Sequence, residues 1–99
     1  HIMGYQYSVY ATKLVVENSD IINAVVRELY PAVAKKFGTT TSKVERAIRH
    51  CVECAWDRSD IDVIKKYFGN TVSSEKGKPT NSEFIARIAN IVRRRIRNG

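Results

Sequence analysis

Apolar residues along this 99-residue chain recur at helical spacing, and almost nowhere in the alternating pattern of a strand. Residues 41–56, TSKVERAIRHCVECAW, give the clearest case. Wound at about 100° per residue, Val44, Ala47, Ile48, Cys51, Val52 and Ala55 share one side. Ser42, Arg46, Arg49 and Glu53 share the other, with Lys43 and His50 on one flank and Glu45 on the opposite flank. A stripe that wide has to lie against a core, which leaves the charged side facing outward.

Carried along the chain, the same pattern predicts five more helices. Residues 5–16 place Tyr7, Tyr10, Ala11, Leu14 and Val15 on one face. Asn18, Ser19 and Asp20 are turn and cap residues, and residues 21–30 follow with Ile22, Val25, Val26 and Leu29 as a stripe. Pro31 lacks a backbone N–H and suits the first turn of a new helix. That helix, residues 31–37, turns Val33, Ala34 and Phe37 inward and ends at Gly38 as a left-handed cap. Thr41 is the expected N-cap of the long helix. Asp60 or Ser59 caps residues 61–68, whose stripe is Ile61, Ile64 and Phe68, and Gly69 ends it. Residues 69–79 are the one polar loop. Thr80 and Glu83 then form a capping box for a last helix to about Arg97, apolar at Phe84, Ile85, Ile88, Val92 and Ile96. Thr71-Val72-Ser73 is the one weak strand candidate. The expected fold is all-α, about six helices in a single domain of residues 4–99, with His1-Ile2-Met3 read as a cloning remnant.

Charge sharpens this picture. The chain carries 17 Lys and Arg against 10 Asp and Glu, a formal net charge of +7. A basic domain of this size attracts polyanions, nucleic acid above all. Its 43% hydrophobic content is that of a folded domain and excludes a disordered one. No apolar run approaches the roughly 18 residues that cross a membrane, and no signal peptide is seen, so a cytoplasmic location is expected. Cys51 and Cys54, three apart on a helix, lean toward the apolar side as small hydrophobes. With His50 they fall short of a tetrahedral set, so no metal and no cofactor are expected.

PAVAKKFGTTTSKVERAIRH reads as short helix, glycine turn, long helix: a helix-turn-helix formed by the third and fourth predicted helices. The first turns of such a recognition helix reach deepest into the major groove. Lys43, Glu45, Arg46, Arg49 and His50 are therefore the candidates for base contacts. Arg46 and Arg49 suit the guanine O6/N7 edge, and Glu45 suits a cytosine amino group. Thr41 and Ser42, beside the helix N-terminus, suit phosphate. Lys35, Lys36, Lys76 and Lys78 suit backbone contacts that set register without reading sequence. The plainer alternatives are a solvated helix face, and for Glu45 an (i, i+4) pair with Arg49 worth a few tenths of a kcal/mol. Arg93, Arg94, Arg95 and Arg97 read as charge compatible with the dipole at a helix C-terminus.

YPAVAKKFGTTTSKVERAIRHCVECAW, followed by KPTNSEFIA, closely resembles the C-terminal DNA-binding domain of the sporulation response regulator of endospore-forming bacteria. The resemblance runs over nearly the whole chain, and SKVERAIRH and NSEFIA are its most specific blocks. It implies a six-helix, winged-helix-like effector domain that binds short promoter boxes in double-stranded DNA, often as head-to-tail pairs. It implies a parent protein with an N-terminal phosphoacceptor receiver domain, absent here. It assigns base reading to Glu45, Arg46, Arg49 and His50. Residues 59–68 look like the family's surface for the housekeeping sigma factor of RNA polymerase, with Ser59, Val63, Lys65 and Phe68 as contacts. Three departures stand out: Lys43 in place of arginine, Val63 and Lys65 in place of small polar residues, and the two cysteines in place of aliphatic residues. An enzyme is not expected, because the chain shows no Ser/His/Asp set, no phosphate-cradling glycine loop and no carboxylate pair. The competing binding role is a protein-interaction module docking on the sigma factor or a receiver domain.

Overall fold

In the computed structural model, residues 2–69 and 77–99 are described. The described residues form five α-helices and no strand: α1 (Ile2–Glu17), α2 (Tyr30–Phe37), α3 (Thr41–Arg58), α4 (Ile61–Phe68) and α5 (Asn81–Asn98). The weak strand candidate at residues 71–73 lies outside them.

The core forms around α1. Tyr7, Ala11 and Val15 line its inner face and meet Val44, Ile48 and Val52 of α3, with Val33 and Ala34 of α2 and Ile85 and Ala89 of α5 in the same cluster. Small residues set the spacing: Ala11 and Ala89 are sealed from solvent, which lets neighbouring backbones come close. Gly4 goes further, because a Cβ there would stand 2.5 Å from the Ala47 carbonyl oxygen of α3. The radius of gyration, 13.2 Å, is that of a compact chain of this length.

The predicted second helix takes a different form. Ser19–Ala24 is a 3₁₀ segment and Val25–Leu29 a π turn that runs directly into α2. The break expected before Pro31 therefore sits at Ala24, in a non-helical conformation. The reason is Pro31 itself: in α winding its ring would strike the carbonyl four residues back. The wider turn, in which the Tyr30 N–H donates to the Val25 carbonyl five residues back, gives that ring room. The change of pitch also breaks the apolar stripe. Leu29 is sealed in the core, whereas Val26 is 77% exposed.

The helix ends follow local chemistry. Gly38 sits at φ 63° and closes α2, a conformation that costs a glycine nothing. Thr40 rather than Thr41 caps α3, its side chain accepting from the Lys43 N–H at 3.2 Å. Asp60 caps α4 by accepting from the Asp62 N–H. The Thr80–Glu83 capping box on α5 is present in both directions. Two arginines of α5 serve as C-caps of other helices: Arg93 donates to the Val15 carbonyl in the last turn of α1 at 2.9 Å, and Arg87 donates to the Tyr67 carbonyl in the last turn of α4. These carbonyls lack helical partners, so α5 ties down both neighbours.

Candidate nucleic-acid interface

α3 is anchored on one side only. Val44, Ile48 and Val52 are buried along its inner edge, each contributing about 1.5–3 kcal/mol of burial. Thr41, Ser42, Lys43, Arg46, Arg49 and His50 are exposed, and Glu45 is half-buried. The candidate base-reading residues thus share one accessible face. Arg49 Nη1 meets Glu45 Oε1 at 2.9 Å, an (i, i+4) pair worth little in stability but one that fixes where the guanidinium points.

The flanking cations are less uniform. Lys35 and Lys36 are exposed in the last turn of α2, and Lys36 Nζ sits 5.7 Å from the centre of the Tyr10 ring. Lys78 is exposed but paired with Asp57 at 3.0 Å, and that hydrogen bond raises its pKa above the usual lysine value. Lys76 lies outside the described residues. His50 Nε2 lies 3.6 Å from Cys54 Sγ. Among the described residues no cluster of three or more His, Cys, Asp or Glu side chains is placed to hold a metal ion.

The pattern of apolar positions gave no hint of the buried polar joint behind this face. Asn81, at the start of α5, donates through Nδ2 to the Tyr30 hydroxyl at 3.0 Å and to the Glu45 backbone carbonyl at 3.1 Å. One carboxamide thus links α5, α2 and the middle of the basic face. The NSEFIA block contains Asn81, which stands between the two residues of the capping box. Two open hollows flank the joint. One, about 310 Å³, is lined by Val26, Tyr30, Thr41, Ser42, Glu45, Arg46 and Arg49. The other, about 520 Å³, lies between Arg49, Glu53 and the segment from Lys78 to Ser82.

Burial raises the pKa of Tyr30 above its ordinary 10.0, against the lowering effect of the Asn81 hydrogen bond. A folded-state pKa above the unfolded one means that this contribution to stability is intact below about pH 10 and is lost as pH climbs through the folded value. Denaturant midpoints at pH 9 and pH 11 are expected to differ less in Tyr30→Phe than in the unaltered chain. An equal fall in both would show that other groups set the alkaline limit.

The sigma-facing candidates divide. Ser59, Val63 and Lys65 are exposed, and Ile61 beside them is also open. Phe68 is turned inward: it is 8% exposed and packs edge-on to Trp56 and stacked on Phe84 at 5.2 and 5.5 Å between ring centres. It holds α4 to α5, and its ring is not offered to a partner.

The described residues thus form an all-helical domain that holds one basic helix face clear of its core. The family model for the C terminal of the sporulation initiation factor Spo0A matches residues 1–92. The chain belongs to that family, which is one of transcription-factor domains rather than enzymes. No helix among the described residues is long and apolar enough to cross a membrane.

Proposed function

We propose that this domain binds promoter boxes in double-stranded DNA sequence-specifically, as the output domain of a two-component response regulator that activates or represses genes at the start of sporulation. The observation that carries the reading is the placement of Lys43, Arg46, Arg49 and His50 on the open side of a helix whose other side is sealed into the core. α2, the Gly38 turn and α3 act as the helix-turn-helix, with α3 in the major groove. Arg46 and Arg49 read guanine, Glu45 accepts from cytosine and His50 reads beside them. Thr41, Ser42, Lys35, Lys36, Lys76 and Lys78 meet the backbone. Two copies sit head to tail on tandem boxes, and the protein works in the cytoplasm at the nucleoid. The exposed Ile61, Val63 and Lys65 of α4 supply the apolar and basic surface for the RNA polymerase sigma factor.

A mobility-shift titration tests this. A box recovered by random-duplex selection should bind far more tightly than its scrambled version. With about five phosphates neutralised, log K should fall with log salt at a slope of roughly −4 to −5. Equal affinity for both duplexes would remove sequence-specific binding from the account. Binding to isolated sigma factor with none to duplex DNA would favour the interaction-module reading instead.

A further inference from the structure

The joint behind α3 leaves one proton unassigned. Asn81 Nδ2 faces the Glu45 backbone carbonyl, and a carbonyl only accepts, so the group facing it is the amide NH₂. The same nitrogen is 3.0 Å from the Tyr30 hydroxyl oxygen, which must therefore accept there. Its own hydrogen points elsewhere. Among the described residues no protein acceptor takes it. Tyr30 is 6% exposed, yet it lines both hollows. Burial raises its pKa above the ordinary tyrosine value, so its O–H remains a donor.

The two hollows differ in charge. The larger one sets Arg49 and Lys78 against Glu45 and Glu53, which leaves it balanced. The smaller sets Arg46 and Arg49 against Glu45 alone, and the Glu45 carboxylate is already turned to Arg49. Thr41 and Ser42 stand on its wall. They open α3, and the Thr40 cap accepts from the Lys43 N–H rather than theirs, so their backbone donors remain free for an anion. A base edge cannot leave the stack to reach a recessed hydroxyl. A phosphate protrudes from its strand and can enter, with only acceptor atoms to offer.

We propose that the hollow between Tyr30 and the start of α3 seats one DNA backbone phosphate, held by the Tyr30 O–H and by Ser42, with Arg46 on its rim left to the base edge. This rests on the duplex-binding reading above and deepens it with a buried contact residue outside the basic face. That phosphate fixes how far α3 enters the groove, because Tyr30 is tied through Asn81 to the α3 backbone.

The test uses the full chain and its selected box, with a methylphosphonate replacing each phosphate in turn. One position near the recognition helix should weaken the unaltered protein about tenfold, as losing a hydrogen bond to a charged group does. Tyr30→Phe should bind the native box about tenfold more weakly and should no longer respond at that position, while responding normally at the others. Ser42→Ala, an exposed change that spares the fold, should lose its response at the same position. A Tyr30→Phe variant that keeps every response, or a Ser42→Ala variant that loses its response at a different phosphate, would overturn the seat while leaving duplex binding intact. Inorganic phosphate protecting the domain with no phosphate of the box mattering would also overturn it, by showing a free-anion site. No preference for the box by the unaltered chain would overturn the duplex reading and the seat together.

Discussion

Arg46→Ala is expected to weaken binding to the selected box by about 1–3 kcal/mol, roughly 5- to 150-fold, and to relax preference at a single base pair. The side chain is exposed on the open side of α3 and carries no hydrogen bond or ion pair among the described residues. Removing it therefore costs the fold almost nothing, and the loss is confined to the contact. Arg49 makes the useful contrast, because its truncation also releases Glu45 and mixes two effects. Lys78→Ala should weaken all duplexes alike, and only modestly, because Asp57 already engages that ammonium. A competition titration over single-base variants of the box separates these outcomes. Uniform weakening by Arg46→Ala across all variants would place Arg46 on the backbone and leave base reading to its neighbours.

Much of this was legible because it depends on local chemistry. The α3 stripe, the Gly38 turn and the Thr80–Glu83 box each follow from residues within a few positions of one another. The residues that local pattern does not reveal act across long separations. Arg93 looked like dipole-compatible charge at a helix end, but its partner is the Val15 carbonyl, a backbone atom that no side-chain pattern advertises. Asn81 stands between the two residues of the capping box, and only the packing of α5 beside α2 and α3 gives its amide two acceptors. Val26 departs from its predicted stripe for a different reason. A fixed 100° step assumes one helical pitch, and the chain changes from 3₁₀ to π winding within residues 19–29. Phe68 was placed correctly on the apolar stripe of its helix, and the same burial that satisfies the stripe removes the ring from any partner.

The largest effect on stability is expected from Ile48→Ala. Ile48 is fully sealed and is among the largest side chains in that condition. It stands midway between Val44 and Val52, where α3 rests on the rest of the core. Truncation to alanine should cost about 2–5 kcal/mol, a large part of the 5–15 kcal/mol that holds a typical domain together. The melting midpoint should fall by on the order of 15 °C. Ile48 has no exposed atom with which to touch a duplex, so the folded fraction of the variant should bind at low temperature with unchanged base preferences. Arg46→Ala should show the reverse, altered preference with an unchanged midpoint. That crossed pattern follows from a helix with one face sealed and the other open. A shift in base preference from Ile48→Ala at temperatures where it stays folded would mean that the cavity lets α3 tilt. The basic face would then depend on core packing as well as on its own side chains.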